Sequence, residues 1–294
     1  MTLKPETHPA TLGKLKGLTT WPALLISNSS VAVGGFLLLF VAITALLAPV
    51  LFTVEPTSMH PIDRLKGPSS GFWFGTDMYG RDIYSRTVFG CRISLAVGFS
   101  VAVLSVSIGL VVGLVAGYFR WIDAIVMRIM DGIMAIPGIL LAIAMLALAG
   151  ASLKTVILAI TIPEIPRVVR LVRGIVLGLR EEPYVESAIS LGTRTPKILI
   201  RHILPNIVAP LIVQGTYVCA SAMILEAILS FLGAGVPPET PSWGNIMAEG
   251  KSYFQIAPWI IFFPGLYLAL TVLGVNVLGD GLRDTLDPRL AKQL

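Results

Sequence analysis

The side chains that could carry chemistry in this sequence are few and widely separated. The three histidines, His8, His60 and His202, lie far apart, and no H-E-x-x-H pattern or cysteine–histidine cluster has metal-ligand spacing. No G-x-x-x-x-G-K-[ST] loop is present to bind phosphates, and no serine stands in a G-x-S-x-G turn. The sequence therefore predicts no enzyme, no metal site and no cofactor. The one enzymatic alternative left open is an intramembrane hydrolase assembled from distant residues.

Composition explains why polar groups are scarce. Hydrophobic residues make up 55% of the 294 residues and charged residues 13%, with a mean hydropathy of +0.82. Soluble domains carry about 25% charged residues, so this chain belongs in a lipid bilayer. Intrinsic disorder is excluded by the same figures, and two cysteines exclude a disulfide scaffold. The net charge of +5 fits the basic cytoplasmic loops of membrane proteins, so we expect no nucleic-acid partner.

Five uncharged runs are long enough to cross the hydrocarbon core, which takes about 20 apolar residues. They cover residues 17–54, 93–119, 132–153, 203–225 and 252–279. The first run follows Lys4, Lys14 and Lys16, and it exceeds the roughly 7–15 apolar residues of a signal peptide. We therefore expect the first run to be a retained membrane anchor.

A sixth predicted span contains charged residues and therefore does not stand out as an uncharged run. Glu164, Arg167, Arg170 and Arg173 are spaced three residues apart, so on a helix starting near Thr155 they form one polar stripe. The other faces of that helix are apolar, and we predict a span that emerges into water among the arginines. The positive-inside rule fits six spans with the N-terminus inside and also five with it outside, so charge alone leaves the number open.

Three acidic residues lie in or beside the apolar segments, Asp131, Glu164 and Glu226. A charge at the bilayer centre costs about 2.5–3.5 kcal/mol on insertion scales, so such groups usually face a cavity or a partner. We expect Asp131 to form a local ion pair with Arg128, three residues earlier. For Glu226 two roles stay open, the lining of a transport path and a polar contact with a neighbouring helix.

Small residues in the spans predict close helix packing. Gly109, Gly113 and Gly117 repeat at four-residue spacing, which lets another backbone approach closely. We expect the partner to be a helix of the same chain, with a subunit interface as the alternative. Prolines that invite kinks also lie in or near spans: Pro137, Pro163, Pro166, Pro210 and Pro264.

Residues 181–206 predict two short helices outside the bilayer. Pro183 suits a first helical turn after two glutamates, and Gly192 suits a helix stop. Between them, an apolar face is formed by Val185, Ala188 and Ile189. The pair Thr195-Pro196 predicts an N-cap and the start of a second helix that ends before Pro205.

This hairpin resembles the EAA motif of ABC importer permeases, which reads E-A-A, three residues, G, nine residues, I-x-L-P. The positions that match are Glu186, Ala188, Gly192, Leu204 and Pro205. Ser187 replaces the first alanine, and His202 stands where isoleucine is usual. Both departures preserve the helix–glycine–helix layout.

Other segments are similar to the C-type subunit of the dipeptide, oligopeptide and nickel permeases. They are residues 75–86 with 90–95, residues 230–235 with 241–244, and the tail 279–289. The residues before about 27 are not covered by this likeness. From spacing alone, Asp77/Arg81 and Asp82/Arg86 predict only i,i+4 pairs on a solvated helical turn.

The resemblance implies an all-α membrane protein with the type I ABC importer permease fold. Six transmembrane helices, a cytoplasmic coupling hairpin and two cytoplasmic termini are then expected. The divisions would be a cytoplasmic segment 1–28, a first span with a periplasmic segment 29–92, a permease core 93–280 containing the hairpin 181–206, and a cytoplasmic tail 281–294.

The resemblance also implies partners and cargo. A B-type permease would complete a heterodimer in a bacterial inner membrane, a periplasmic binding protein would deliver cargo, and two ATP-binding subunits would dock on the hairpin. Those subunits, rather than this chain, would hydrolyse ATP. Di- or oligopeptides are the expected cargo, with glutathione, nickel or an opine or oligosaccharide as alternatives. An ion-coupled secondary transporter is the competing class, but it should show related halves and ion-binding carboxylates, and neither is visible.

Overall fold

The computed structural model describes residues 28–51 and 54–286. Within these residues the chain is helical, and its only β-type pairing is an isolated bridge between Thr76 and Asp82. The helices are α1 (Ser29–Leu51), α2 (Ile83–Tyr118), α3 (Arg120–Met134), α4 (Gly138–Ala149), α5 (Leu153–Arg180), α6 (Pro183–Ser190), α7 (Thr195–Ile198), α8 (Leu204–Phe231), α9 (Trp243–Gly250) and α10 (Trp259–Leu286). Most of the N-terminal segment 1–28, and the tail from residue 287 onward, lie outside the described residues.

Four stretches of helix are long and apolar enough to cross a membrane: α1, α2, the continuous segment Thr195–Phe231 that contains α7 and α8, and α10. The bent pair of α3 and α4 is a fifth candidate. Helix α5 has 28 residues, which is sufficient length for a span, but its charged stripe makes it more polar than the others. The sixth span therefore stays a prediction.

The predicted span over 132–153 is sharply bent near Pro137, where the sequence predicts a kink. Helix α3 ends at Met134, α4 begins at Gly138, and the two axes differ by 84°. Pro137 precedes α4 with an extended ψ of 125°, which ends the helical path, and it has no backbone N–H to continue the ladder. With 12 residues, α4 is about 18 Å long and is too short to cross the bilayer alone.

Helix α2 runs the full depth of the bundle. It has 36 residues, about 54 Å at 1.5 Å per residue, and it begins at Ile83, well before the run that starts at residue 93. The Asp82 carboxylate caps this helix by accepting a bond from the Ser85 N–H at 2.9 Å. We call the end formed by residues 54–82 and α9 the cap end, and the end formed by α6 and α7 the hairpin end.

A seam of small residues holds α2 against α5. Each glycine of the predicted stripe faces one valine, and a Cβ placed on the glycine would lie 2.5 to 2.7 Å from the valine Cβ. The pairs are Gly109 with Val168, Gly113 with Val172, and Gly117 with Val176. At the last turn, the Arg180 guanidinium donates to the Tyr118 carbonyl at 3.2 Å. The structure thus places the stripe in packing within the chain, and the seam fixes where α6 leaves α5.

Candidate functional site

The first helix of the hairpin forms for local reasons. Helix α6 begins at Pro183, where a proline suits the first turn because the N–H it lacks would have no helical partner. Val185 and Ala188 are buried, and Val185 joins the core that also contains Val176 of α5. Ile189, the third residue of the predicted apolar face, is about half exposed.

Gly192 ends α6 as predicted. Its φ is +75°, a left-handed conformation in which glycine has no Cβ to clash. The Gly192 N–H donates to the Ile189 carbonyl at 2.9 Å, and the Thr193 N–H donates to the Ala188 carbonyl at 3.0 Å. These two bonds form a Schellman motif, which satisfies the last carbonyls of the helix and turns the chain sharply.

The second half of the hairpin departs from the prediction in two respects. Arg194, rather than Thr195, is the N-cap of α7, and no side chain caps this helix. The helix also does not stop before Pro205, because a π-helical turn over Leu199–Ile203 leads directly into α8. Pro205 is tolerated there because it lies in the first turn of α8. The hairpin is therefore continuous with a membrane-spanning helix.

The outer surface of the hairpin combines apolar and polar side chains. Leu191 is 85% exposed and Ile200 66% exposed, while Glu186, Ser187 and Gly192 are also exposed. An open groove of about 580 Å³ lies beside them and is lined by Pro196, Lys197, Ile200, Arg201 and Pro205. Exposed apolar side chains with a polar rim are typical of protein interaction surfaces.

Tyr184 and Asn206 connect the start of the hairpin to α8. The Asn206 amide donates to the Tyr184 hydroxyl at 3.4 Å and to the His202 carbonyl at 2.8 Å. Partial burial, together with the nearby negative charge of Glu182, raises the pKa of the Tyr184 phenol. The phenol is neutral at physiological pH and accepts the hydrogen bond from Asn206.

The charged stripe of α5 joins this helix to α3. Arg170 binds Asp131 at 2.6 Å, and Arg173 binds Asp123 through two hydrogen bonds. The expected pair of Asp131 with Arg128 is not found among the described residues, because Asp131 lies on α3 facing the arginines of α5. These cross-helix pairs could not be inferred from local spacing.

Glu164 and Glu226 lie in separate places. The buried Glu164 accepts from Arg167 at 3.2 Å and from the Ser221 hydroxyl of α8 at 3.4 Å. Glu226 is fully buried, and one carboxylate oxygen accepts from Ser230 at 2.8 Å and from Ser242, the N-cap of α9, at 2.9 Å. The structure places Glu226 in a contact between α8 and the start of α9, away from solvent.

The expectation of a solvated turn at the cap end is wrong. Asp77 bonds Arg81 at 2.6 Å and Arg86 at 2.7 Å, and Arg86 also bonds Glu249 of α9 at 2.6 Å. The side chains of Asp77 and Arg86 are each only 1% exposed. These four residues, which we call the cap cluster, tie the segment before α2 to α9. No local pattern in the sequence indicates Glu249, which lies 163 residues from Arg86.

Comparison with known proteins identifies the family. Residues 87–292 match the binding-protein-dependent transport system inner membrane components. The chain belongs to this family. As a member with several apolar helices, it is a multi-pass inner membrane protein and a transport component. The predicted membership among ABC importer permeases is confirmed.

Individual relatives of this inner membrane component cover nearly its whole length. A probable peptide ABC transporter permease protein of Sinorhizobium fredii is 54% identical over 259 residues, or 88% of this chain and 89% of the relative. A dipeptide transport system permease protein of Alkalihalophilus pseudofirmus is 43% identical over 267 residues, covering 90% and 88%. A glutathione transport system permease protein of Pectobacterium atrosepticum is 46% identical over 272 residues, covering 92% and 90%.

The solved structures support the fold. The inward-facing MetNI methionine ABC transporter contains a chain that aligns with a TM-score of 0.55 at 21% identity, covering 70% of this inner membrane component and 98% of that chain. The all-α permease fold expected from the sequence is therefore confirmed. Within it, Glu186, Ser187, Ala188 and Gly192 lie on α6 or at its end, and Leu204 and Pro205 begin α8, whereas Asp131, Glu164 and Glu226 do not form one site.

Proposed function

We propose that the chain is the C-type permease subunit of an ABC importer for di- and oligopeptides, and that its hairpin docks on an ATP-binding subunit in the cytoplasm. The observation that carries the docking role is the hairpin surface, where Leu191 and Ile200 are exposed beside Glu186. The buried side chains beneath, Val185 and Ile198, anchor the hairpin to the core. A partner that covers the exposed apolar side chains would gain the free energy of their burial.

The proposed mechanism follows from the continuity of the hairpin with two long helices. Helix α5 enters α6, and α7 passes into α8 through the π-helical turn. Closure of two ATP-binding subunits on ATP would displace the hairpin and bias the helix bundle toward one of two arrangements of the transport path. A B-type permease would supply the other half of the path, and a periplasmic binding protein would deliver cargo at the cap end.

Peptide cargo is proposed from the relatives. The relatives from Sinorhizobium fredii and Alkalihalophilus pseudofirmus carry peptide and dipeptide in their names. Glutathione is the second candidate, because the Pectobacterium atrosepticum relative is a glutathione permease at comparable identity. Both kinds of cargo contain peptide bonds and terminal carboxylates, so their general chemistry does not distinguish them. Measured uptake of each compound does.

Uptake of a radiolabelled dipeptide by a strain that lacks this chain tests the proposal. The wild-type chain should restore uptake, whereas Gly192→Trp and Glu186→Lys should abolish it although the subunit inserts in normal amount. The indole would protrude into the docking surface, and the lysine would reverse an exposed charge there. Labelled glutathione is measured in the same cells, and restoration of glutathione uptake alone would replace the peptide assignment.

Gly233→Trp is the matched control. Gly233 ends α8 at the other end of the bundle with a φ of +78°, and, as at Gly192, the space that a side-chain Cβ would occupy is open. Both substitutions therefore carry the same backbone strain, but only Gly192 lies on the hairpin. Equal loss of uptake in the two variants would contradict docking at the hairpin and assign the effect to strain.

A further inference from the structure

A groove of about 670 Å³ lies between α5, α8 and α10 in the hairpin half of the bundle. Small-molecule sites commonly enclose about 300–1,000 Å³, so the groove is large enough for a short peptide. Helix α8 forms most of its wall, with Leu171 of α5 and Arg283 and Leu286 of α10 opposite. None of the EAA-motif positions except Pro205 takes part in its lining.

Helix α8 presents different chemistry on its two faces. Pro210, Gln214 and Tyr217 line the groove, and Ser221 continues the same helical row toward Glu164. The other face lines a separate cavity of about 710 Å³, whose α8 residues include Leu211, Gly215 and Cys219. Polar side chains within a membrane helix usually mark a path for substrate rather than a lipid contact. Gln214, Tyr217 and Ser221 thus lie on the groove side, whereas Thr216 lies on the other face and donates its hydroxyl to the Val213 carbonyl of its own helix.

Gln214 has an unused hydrogen-bonding group in this groove. Its side chain is partly buried, and among the described residues its amide has no hydrogen-bond partner. A glutamine amide offers two donors and one acceptor oxygen, the complement of a peptide bond. Tyr217, one helical turn further along, instead donates its hydroxyl to Asp280 of α10 and so fixes α10 against α8.

Arg283 brings a positive charge to the same groove. It lies three residues after Asp280 on α10 and close to the Tyr217 hydroxyl, and no carboxylate of the described residues is within ion-pair distance of its guanidinium. Guanidinium groups stay charged at all physiological pH values and bind carboxylates in a bidentate manner. The groove therefore contains a cation able to bind an anionic group of a ligand.

We propose that this groove binds the cargo peptide through its main chain, with Gln214 bonded to a peptide group and Arg283 paired with the terminal carboxylate. This inference rests on the proposed peptide import and adds the residues that contact cargo. Both contacts recognise features that every linear peptide shares, whatever its side chains. Such recognition suits a permease that passes many sequences after a separate protein has selected them.

Cross-linking during turnover tests the location. The complete transporter in proteoliposomes, with binding protein and ATP, is given a labelled dipeptide that carries a thiol-reactive group. Gln214→Cys should become labelled, whereas Thr216→Cys should not, because Thr216 lies on the apolar face of α8. Native Cys219 lines that same apolar cavity and is an internal control. Equal labelling at 214 and 216 would overturn the assignment of the groove.

Transport rates with an unmodified dipeptide test the contacts. At saturating binding protein, Gln214→Leu should slow uptake roughly fivefold to tenfold, the loss expected for one hydrogen bond. Arg283→Gln should slow it about tenfold or more, and Arg283→Lys should retain more of the rate because the charge remains. Thr216→Val should transport at the wild-type rate.

The two proposals fail in different ways. If the wild-type transporter takes up no peptide, the proposed function is wrong. If the wild type transports peptide and both Gln214→Leu and Arg283→Gln match its rate, peptide import stands and the groove assignment is wrong.

Discussion

The cap end and the hairpin end differ in how their charged and apolar side chains are exposed. At the cap end, Asp77, Arg81, Arg86 and Glu249 satisfy one another inside the chain, and Glu249, the most exposed of them, has a side-chain exposure of 17%. At the hairpin end, Leu191 is 85% exposed. The cap cluster has its charged groups paired within the chain, whereas the hairpin surface presents Leu191 uncovered beside exposed polar residues.

This difference separates the contacts that the chain makes by itself from those that, under the proposed docking, a partner would add. An unpaired buried charge is costly, and each charge of the cap cluster is paired, so the geometry of the cluster is determined by its own side chains. The hairpin end is held from beneath by buried Val185 and Ile198 while its outer face remains free. Stability should therefore depend on the cap end, and assembly on the hairpin end.

The largest expected difference between the two ends is the side of the membrane from which each can be labelled. In a chain whose Cys91 and Cys219 are replaced by alanine, Ser187→Cys should react with a membrane-impermeant thiol reagent only from the cytoplasm. Ile62→Cys is the control at the cap end, where the native side chain is 92% exposed, and it should react only from the periplasm. Labelling of both sites from the same side would contradict the opposed ends.

Breaking the cap cluster should cause the next largest effect. Arg86→Ala removes one of the two arginines that pair with both Asp77 and Glu249, and removal of one member of a buried ion pair costs about 3–5 kcal/mol. The free energy of unfolding in mixed detergent micelles measures this loss. Lys66→Ala is the control, because the Lys66–Asp63 pair is partly exposed and should contribute less than about 1 kcal/mol. Equal losses in both variants would refute the structural role of the cluster.

The smallest expected effect on stability lies at the hairpin. Leu191→Gln should change the free energy of unfolding of the isolated subunit by less than about 0.5 kcal/mol, because the side chain packs against little of its own chain. The same variant should lose co-purification with the ATP-binding subunits. A large destabilisation, or unchanged co-purification, would show that Leu191 belongs to the fold rather than to a docking surface.

The hairpin could be predicted because its signals are local. Pro183 and Gly192 each act on the turn they occupy, so the start and stop of α6 follow from single residues. The end of α7 could not be predicted from single residues in this way. Thr195-Pro196 signals a start, but whether the chain stops at Pro205 depends on packing that lets Leu199–Ile203 widen into a π-helical turn.

The remaining differences from the sequence predictions concern contacts between residues far apart in the sequence and the direction in which a helix runs. Arg86 bonds Glu249, which is 163 residues away in the sequence, and Asp131 bonds Arg170, which is 39 residues away. Local spacing suggested nearer partners for both. An uncharged run reports that a segment is apolar but not which way it points. Pro137 therefore indicated a kink in the sequence, whereas its 84° size appears only in the folded chain.

The glycine–valine seam packs α2 and α5 so closely that the two helices should move as one rigid unit. With each of the three glycines pressed against a valine, neither helix can slide past the other without driving a side chain into backbone. Under the proposed docking, a displacement of the hairpin at Gly192 would be transmitted through the end of α5 to Tyr118 and along α2, which is about 54 Å long. Bending would then occur elsewhere, at the break beside Pro137 and at the π-helical turn before α8.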